Sequence, residues 1–152
     1  MASAPAPIRF FMPDAPYGWL CALSAHPVEI DGRLWPTAEH FYQAQKFPFH
    51  HVVQELIRAE PDPFRAKAIS KEHKALVVGD WKPTRCLEVF RYATHAKFRQ
   101  HPSLAAQLLA TGDAELIEES PDDAFWGSGP SGDGQNWVGR IVMEVRAALT
   151  KA

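Results

Sequence analysis

Carboxylates, aromatic rings and glycines are concentrated in one stretch near the end of the chain, residues 122–136. Its most informative members are an acid, a large ring, two glycines and an amide: Asp123, Trp126, Gly127, Gly129 and Asn136. Glycine loses more backbone freedom on folding than any other residue, so a glycine-rich loop indicates positive φ angles or close backbone approach to a ligand. Backbone N–H groups of such a loop before a helix could hold a phosphate or another anion. We interpret the stretch as a substrate-binding loop, with a plain long connection as the alternative.

A second carboxylate, Glu39, begins the polar face of a predicted helix. Gln43 and Lys46 follow it at i+4 and i+7, so the helical repeat places the three side chains on one face. Lys46 could contact a phosphate, although lysines in helices are mostly solvated. Both acids also have a structural alternative, because Glu39 could complement the helix macrodipole and Asp123 could cap a turn. We retain both as candidate functional carboxylates.

Three tryptophans lie beside proline, aspartate or glycine rather than inside apolar stripes. Trp35, Trp81 and Trp126 are large amphipathic rings, and this placement suits stacking on a planar ligand. The alternative for each is an ordinary place in the core.

Three familiar site patterns are excluded. Residues 127–132 match the letters G-x-G-x-x-G, but no buried strand precedes them, Pro130 lies inside them, and too few residues follow for a dinucleotide-binding unit. The seven histidines lack metal-ligand spacing, so we expect no metal and no cofactor. Cys86 lies on an apolar helical stripe and Cys21 has no C-x-x-C partner, so neither is a candidate nucleophile.

The elements that must position these residues begin with a hairpin. Residues 28–35 alternate around Asp31-Gly32, a dipeptide typical of a two-residue β turn. Pro36 ends the strand, Thr37 can cap a helix over 38–47, and Pro48 ends it.

Further helices are predicted from apolar spacing, proline and capping residues: around 52–57; over 64–69 with Asp62 as the cap; from Pro83 to about 100; after Ser103; and over 137–149 with Asn136 as the cap. A brief segment at Leu116-Ile117 precedes the glycine loop. The sequence therefore predicts a mainly α fold with about six helices and a minor β-sheet or hairpin. One compact domain is expected over 8–150, after a disordered leader at 1–7.

Composition narrows the class of protein. The 152 residues are 46% hydrophobic and 22% charged, with a formal charge of -2 and no apolar run of 18 residues. We expect a soluble protein without a membrane partner, and no global basic field that would favour binding to a nucleic-acid duplex. Two cysteines and a start that lacks a signal peptide favour a cytoplasmic location.

Several blocks in order resemble one family. They are Tyr17-Gly18, the W-P-T-A-E-H-F-Y-Q-A-Q-K-F run at 35–47, Asp80-Trp81, the D-A-F-W-G run at 123–127 and the N-W-V-G run at 136–139. In this arrangement the chain resembles the YbiA-like or NADAR family of N-glycosidases over about residues 8–150.

The resemblance implies a YbiA-like fold and hydrolysis of an N-glycosidic bond to ribose. The substrate would be a small ribosyl phosphate, such as a ribosylaminopyrimidine intermediate of riboflavin synthesis, or an ADP-ribose derivative, which includes ADP-ribosyl groups on nucleic-acid bases. Breaking the C1–N bond builds positive charge at C1, which a carboxylate can stabilise. Glu39 and Asp123 would be the catalytic residues, without a metal. The substrate-binding residues would be Tyr17, Gly18, Lys46, Trp81, Trp126, Gly127, Gly129 and Asn136.

The chain departs from the family pattern at three places. Ala22 replaces an amide that the family often carries, and Ser70-Lys71 and Val78-Gly79 replace arginine-containing positions. Losing guanidinium groups would weaken recognition of phosphate. A non-catalytic module that binds ADP-ribose or a nucleotide is therefore the main alternative, and a helical scaffold for protein partners is the other.

Overall fold

A computed structural model describes residues 4–151 and contains short strands and six α-helices in that range. The strands are β1 Ile8–Phe10, β2 Val28–Ile30, β3 Arg33–Trp35 and β4 Leu116–Glu118. The helices are α1 Ala38–Ala44, α2 His51–Ala59, α3 Pro63–Glu72, α4 Cys86–Gln100, α5 Pro102–Ala110 and α6 Trp137–Thr150. The predicted mainly α class with a minor β component is confirmed. The chain forms two compact units, one of residues 22–100 and one that joins the chain up to Cys21 to the part from His101 onward.

The hairpin in the unit of residues 22–100 forms as predicted. β2 and β3 pair antiparallel, with Val28 opposite Trp35. Asp31 and Gly32 both have positive φ, 53° and 77°, which is the backbone that a two-residue turn of type I′ requires. The hairpin delivers the chain directly to the start of α1.

Helix α1 begins as predicted, because the Thr37 hydroxyl accepts a hydrogen bond from the backbone N–H of His40 at 3.1 Å. All seven of its residues are buried. The helix ends at Ala44, earlier than predicted, and Gln45 and Lys46 form a turn before Pro48. The prediction that Lys46 shares a helical face with Glu39 is therefore wrong, because Lys46 lies beyond the helix.

The next helices confirm one cap and correct one start. Asp62 caps α3 by accepting the N–H of Phe64 at 2.9 Å. A π-helical turn, Trp81–Arg85, leads directly into α4, and only Lys82 inside it has extended backbone angles, so helical backbone begins at Pro83 as predicted. Helix α5 begins at Pro102, whose fixed φ suits a first helical position, so the predicted cap at Ser103 is wrong.

The core of the unit of residues 22–100 lies where α1 packs against α2, α3 and α4, with β2 against α4. Its buried side chains include Val28, Trp35, Phe47, Ile57 and Ala93. Trp35 is 1% exposed and packs edge-on against Phe41, so it is a core residue and not a ligand-stacking ring.

In the other unit, β1 and β4 pair in parallel, with Ile8 opposite Leu116. Helix α6 packs against β4 and α5 through the predicted apolar stripe, of which Val138, Ile141, Val142 and Val145 are buried. Residues 4–7 are exposed and irregular. Residues 1–3 of the predicted leader lie outside the described residues, and the leader stays a prediction.

Asn136 occupies the cap position of α6, but its side chain does not cap the helix. Its Oδ1 accepts the backbone N–H of Glu118 and its Nδ2 donates to the carbonyl of Leu116, both at 2.9 Å. The amide therefore pairs with β4 as a neighbouring strand would. Its positive φ of 54° aims it there, a backbone conformation that asparagine tolerates. The predicted side-chain cap is wrong.

Replacing Asn136 by glycine should lower the free energy of unfolding by about 1–3 kcal/mol, because two backbone groups of β4 lose their partners without strain at a positive φ. Denaturant unfolding followed by circular dichroism measures the loss. Asp133→Gly, in the same loop and exposed, controls for the added chain freedom of glycine. Equal losses in the two variants would contradict the role of Asn136 in holding β4.

Candidate functional site

Glu39 is a buried carboxylate near the start of α1. It is 6% exposed, and its Oε1 accepts a hydrogen bond from Gln43 Nε2 at 2.7 Å. Its backbone N–H donates to the carbonyl of Ala22 at 3.1 Å. A carboxylate that served only the helix macrodipole would gain from staying in water. The burial of Glu39 beside an amide therefore favours a functional role.

Lys46 lies in the turn after α1, half-buried, with its ammonium 5.5 Å from the centre of the Tyr42 ring. Burial lowers the pKa of Lys46 below its ordinary value, and the charges of Lys82 and Lys67 add to this, while Glu39 acts in the opposite direction. An anionic ligand beside this ammonium would raise its pKa again, because a nearby opposite charge favours the charged form. Lys46 is thus suited to contact a phosphate.

Trp81 is also brought to this region. Its ring lies 5.2 Å from that of Tyr42, and the side chain is 5% exposed. Its Nε1 has no hydrogen-bond partner among the residues that the structure describes. The backbone links it to Lys46 as well, because Val78 donates to the Lys46 carbonyl and Trp81 donates to the Val78 carbonyl, at 2.9 and 3.2 Å. Glu39, Lys46 and Trp81 are thus held on one framework around α1 and the turn that follows it.

His40 is a residue whose role sequence reasoning missed. It is fully buried, its Nε2 lies 2.6 Å from the Glu60 carbonyl, and its Nδ1 lies 2.7 Å from the Thr37 hydroxyl. A carbonyl only accepts, so Nε2 carries the proton and Nδ1 accepts from the hydroxyl. Burial lowers the pKa of His40 below its ordinary value, against opposing effects of Glu60 and Glu39. The Thr-x-x-His spacing was the signal available in the sequence.

The remaining candidates lie in the other unit. Asp123 Oδ1 accepts the backbone N–H groups of Phe125 and Trp126, each at 2.9 Å. The carboxylate therefore shapes the turn that begins the loop, as the structural alternative for Asp123 expected, and its other oxygen lies outside these two bonds. The Trp126 ring packs edge-on against Phe125 at 5.0 Å.

The loop glycines are explained by packing of the loop on itself. A side chain at Gly127 would approach the Ser120 Cβ to 2.6 Å, and one at Gly129, whose φ is 71°, would approach the Ala124 Cβ to 2.7 Å. The Gly127 amide already donates to the Asp123 carbonyl. The amide of Gly127 is thus engaged within the loop, and any contact that it makes with substrate must use other atoms.

Tyr17 and Gly18 form a separate turn of the same unit. Tyr17 has a positive φ of 61° and its ring is 45% exposed, 6.5 Å from Trp19. Gly18 is buried, and a side chain there would collide with the backbone of Pro13. Their exposure and packing leave Tyr17 as the member of the pair whose side chain could reach a ligand.

Other features of the chain bear on the class of site. Cys21 and Cys86 are both buried, neither is in a disulfide, and burial raises the pKa of the Cys86 thiol. Within residues 4–151, no group of three or more His, Cys, Asp or Glu side chains is placed to hold a metal ion. In the same range, every helix is too short or too polar to cross a bilayer.

The arrangement around α1 combines a buried acid, a cation and aromatic rings. The family model of the NADAR domain matches residues 9–150, nearly the whole chain. The chain belongs to the NADAR family. The match includes both the W-P-T-A-E-H run that starts α1 and the loop from Asp123 to Asn136.

Relatives of this NADAR chain include two curated proteins and one solved structure. It is 44% identical over 143 residues to a riboflavin biosynthesis protein of Vibrio vulnificus, matching 94% of this chain but only 38% of that longer protein. It is 38% identical to the N-glycosidase YbiA of Escherichia coli, covering 93% of this chain and 88% of YbiA. An NMR structure of E. coli YbiA superposes with a TM-score of 0.88 at 36% identity, covering 99% of this chain and 88% of that one.

The buried imidazole of His40 makes the stability of this NADAR chain depend on pH. The unfolded chain takes up a proton near the ordinary pKa of 6.5, whereas folded His40 resists protonation to lower pH. The unfolded state binds more protons in that window, so the free energy of unfolding falls as the pH drops below about 6.5. Urea unfolding between about pH 5 and 7.5 should show a shallower pH slope for His40→Gln than for the wild type. His51→Gln, at an exposed position, should keep the wild-type slope, and identical slopes in all three proteins would contradict the assignment.

Proposed function

We propose that this NADAR chain hydrolyses the N-glycosidic bond of a ribosyl phosphate or an ADP-ribose derivative. The class of activity, hydrolysis of an N-glycosyl bond, rests on family membership and on relatives named as N-glycosidases. The name of the Vibrio relative supports a ribosylaminopyrimidine phosphate of riboflavin synthesis as the substrate. That substrate is part of the proposal, because the chain spans only 38% of the Vibrio protein.

The burial of Glu39 beside Gln43 is the observation that carries the proposal. When the C1–N bond breaks, its electron pair leaves with the nitrogen base and positive charge develops on C1 and the ring oxygen. A fixed carboxylate in a water-poor environment stabilises that charge far more than one in bulk water. Water then adds its oxygen to C1; one of its protons stays on the new C1 hydroxyl, and the other passes through a carboxylate to the departing nitrogen.

Asp123 is the second carboxylate of the proposal. Two backbone N–H groups hold its Oδ1, which fixes the orientation of the carboxylate and the start of the Trp126 turn. We assign Glu39 to the charge at C1 and Asp123 to the activation of water or the support of the leaving group. Asp123→Asn keeps an oxygen for both N–H groups, so its effect reports on charge and not on the turn.

The cation and the rings bind the rest of the substrate in this proposal. Burial lowers the pKa of the Lys46 ammonium, and a phosphate beside it would raise that pKa again by favouring the charged form. Trp81 lines the pocket beside Tyr42, and Trp126 stacks on the base or covers the ribose. Asn136 holds β4 with both ends of its amide, so we assign it a structural role.

An ADP-ribosylated nucleic acid is a second candidate substrate. A groove of about 550 Å³ along α4 is lined in part by Arg91, His95 and Arg99, which follow one another at i+4. Such a row of donors suits phosphate oxygens of a polynucleotide.

The cytoplasmic location stays a prediction from cysteine usage.

The non-catalytic binding module remains the alternative outcome, motivated by the replaced arginine positions and by Ala22. The contact that Ala22 makes with Glu39 uses its backbone carbonyl, which any residue supplies. The replacement at this position therefore leaves the support of Glu39 intact, and this favours an enzyme.

Glu39→Gln and Asp123→Asn should each lower kcat for hydrolysis of a ribosylaminopyrimidine phosphate about 10²- to 10⁴-fold, the range for removal of a positioned acid or base. Release of the base, followed by chromatography, measures turnover. Asp122→Asn, at the exposed neighbouring carboxylate, should retain wild-type kcat. Tight binding of the substrate by the wild type without any turnover would contradict the enzyme and indicate a non-catalytic binding module.

A further inference from the structure

We propose that Gln43 is a specificity-determining residue that holds Glu39 with one end of its amide and accepts a hydrogen bond from the 2-hydroxyl of the substrate's ribose with the other. The position of the ribose beside Glu39 rests on the proposed function. The hydrogen bond rests on the geometry of Gln43.

The donor end of the Gln43 amide is fixed by its partner. Nε2 lies 2.7 Å from Glu39 Oε1, one helical turn away on α1. A carboxylate offers only acceptors, so the amide turns its N–H group toward Glu39 and its oxygen away. The orientation of Gln43 thus follows from the charge of Glu39.

The acceptor end has no partner in the protein. Gln43 is 5% exposed, and no described residue donates a hydrogen bond to its Oε1. More than about 90% of buried polar groups are hydrogen-bonded, because an unpaired one costs about 1–3 kcal/mol. A buried acceptor left open beside the candidate catalytic acid indicates that a ligand supplies the donor.

A second glutamine of the same unit shows what a purely structural one does. Gln54 is 7% exposed on α2; its Nε2 donates to the Phe47 carbonyl at 2.7 Å, and its Oε1 accepts from Arg33 at 3.4 Å. Both ends of the Gln54 amide are therefore satisfied within the protein. The difference between the two buried glutamines lies in the open acceptor of Gln43.

Distances select which ribose group is reached. The nitrogen and oxygen of an amide are about 2.3 Å apart, as the C=O and C–N bond lengths require. The acceptor therefore lies close to the carboxylate that faces C1, and the hydroxyl nearest to C1 is the one on C2. Hydrogen bonds to this hydroxyl strengthen as the sugar approaches its charged transition state.

Calorimetric titration with ribose 5-phosphate and 2-deoxyribose 5-phosphate tests the proposal without requiring turnover. The wild type should bind ribose 5-phosphate at least about tenfold more tightly than 2-deoxyribose 5-phosphate, because only ribose has a 2-hydroxyl to donate to the buried Oε1 of Gln43. In Gln43→Met, which keeps the length of the side chain without its polar atoms, the ratio of affinities should fall toward one. Gln54→Met is the matched control and should keep the wild-type ratio even if it is less stable.

Arabinose 5-phosphate, whose 2-hydroxyl lies on the opposite face of the ring, provides a measurement that needs no variant. It should bind the wild type as weakly as the deoxy sugar. An unchanged ratio in Gln43→Met, equal affinities of the wild type for the three sugars, or binding of none of them would overturn the proposal.

Hydrolysis of the matching ribosyl and 2-deoxyribosyl pyrimidine glycosides, assayed in parallel, separates the two proposals. Sugar selectivity that depends on Gln43, without turnover of either glycoside, would contradict the proposed function and leave the role of Gln43 standing. Turnover with a sugar selectivity that does not depend on Gln43 would contradict the role of Gln43 and leave the proposed function standing.

Discussion

The burial of α1 on every side is the constraint on which the candidate site depends. A helix enclosed in this way must give each of its polar side chains a partner, because an unpaired polar group in the interior is costly. His40 satisfies this with Thr37 and the Glu60 carbonyl, and Glu39 does so with Gln43. The rigid His40 anchor and the hairpin before Thr37 therefore fix where the buried carboxylate lies.

The charge of Glu39 organises the side chains that follow it. It turns the Gln43 amide so that the oxygen faces away, and it opposes the lowering of the Lys46 pKa by burial. A carboxylate, an open acceptor and a cation thus follow from a few residues of one short helix and its exit turn. These are the groups that a ribosyl phosphate with a charged transition state would use.

The loop from Asp123 to Asn136 is ordered by its own contacts. Asp123 holds the turn at its start, Gly127 and Gly129 let it pack closely, and Asn136 ties its end to β4. The residues of the loop are therefore explained by its backbone shape and close packing rather than by binding of an anion to backbone N–H groups. What it can offer a ligand is the orientation of Asp123 and Trp126.

Local signals in the sequence predicted much of this fold. The Asp31-Gly32 turn and the caps at Thr37 and Asp62 depend on neighbouring residues only, and all three are confirmed. The start of α5 was misplaced because a proline, with its fixed φ, itself suits the first helical position. The acceptor left open on Gln43 and the pairing of Asn136 with β4 depend on residues brought together by folding, so no local pattern could reveal them.

The central claim is that Glu39, buried on α1, acts at C1 of a ribosyl group. A crystal structure of the protein with ribose 5-phosphate bound tests it most directly. We expect the Glu39 carboxylate to lie about 3–3.5 Å from C1 or the ring oxygen, the separation of reacting groups, with Gln43 still hydrogen-bonded to it. A ribose seated elsewhere, with Glu39 out of reach of the sugar, would contradict the account.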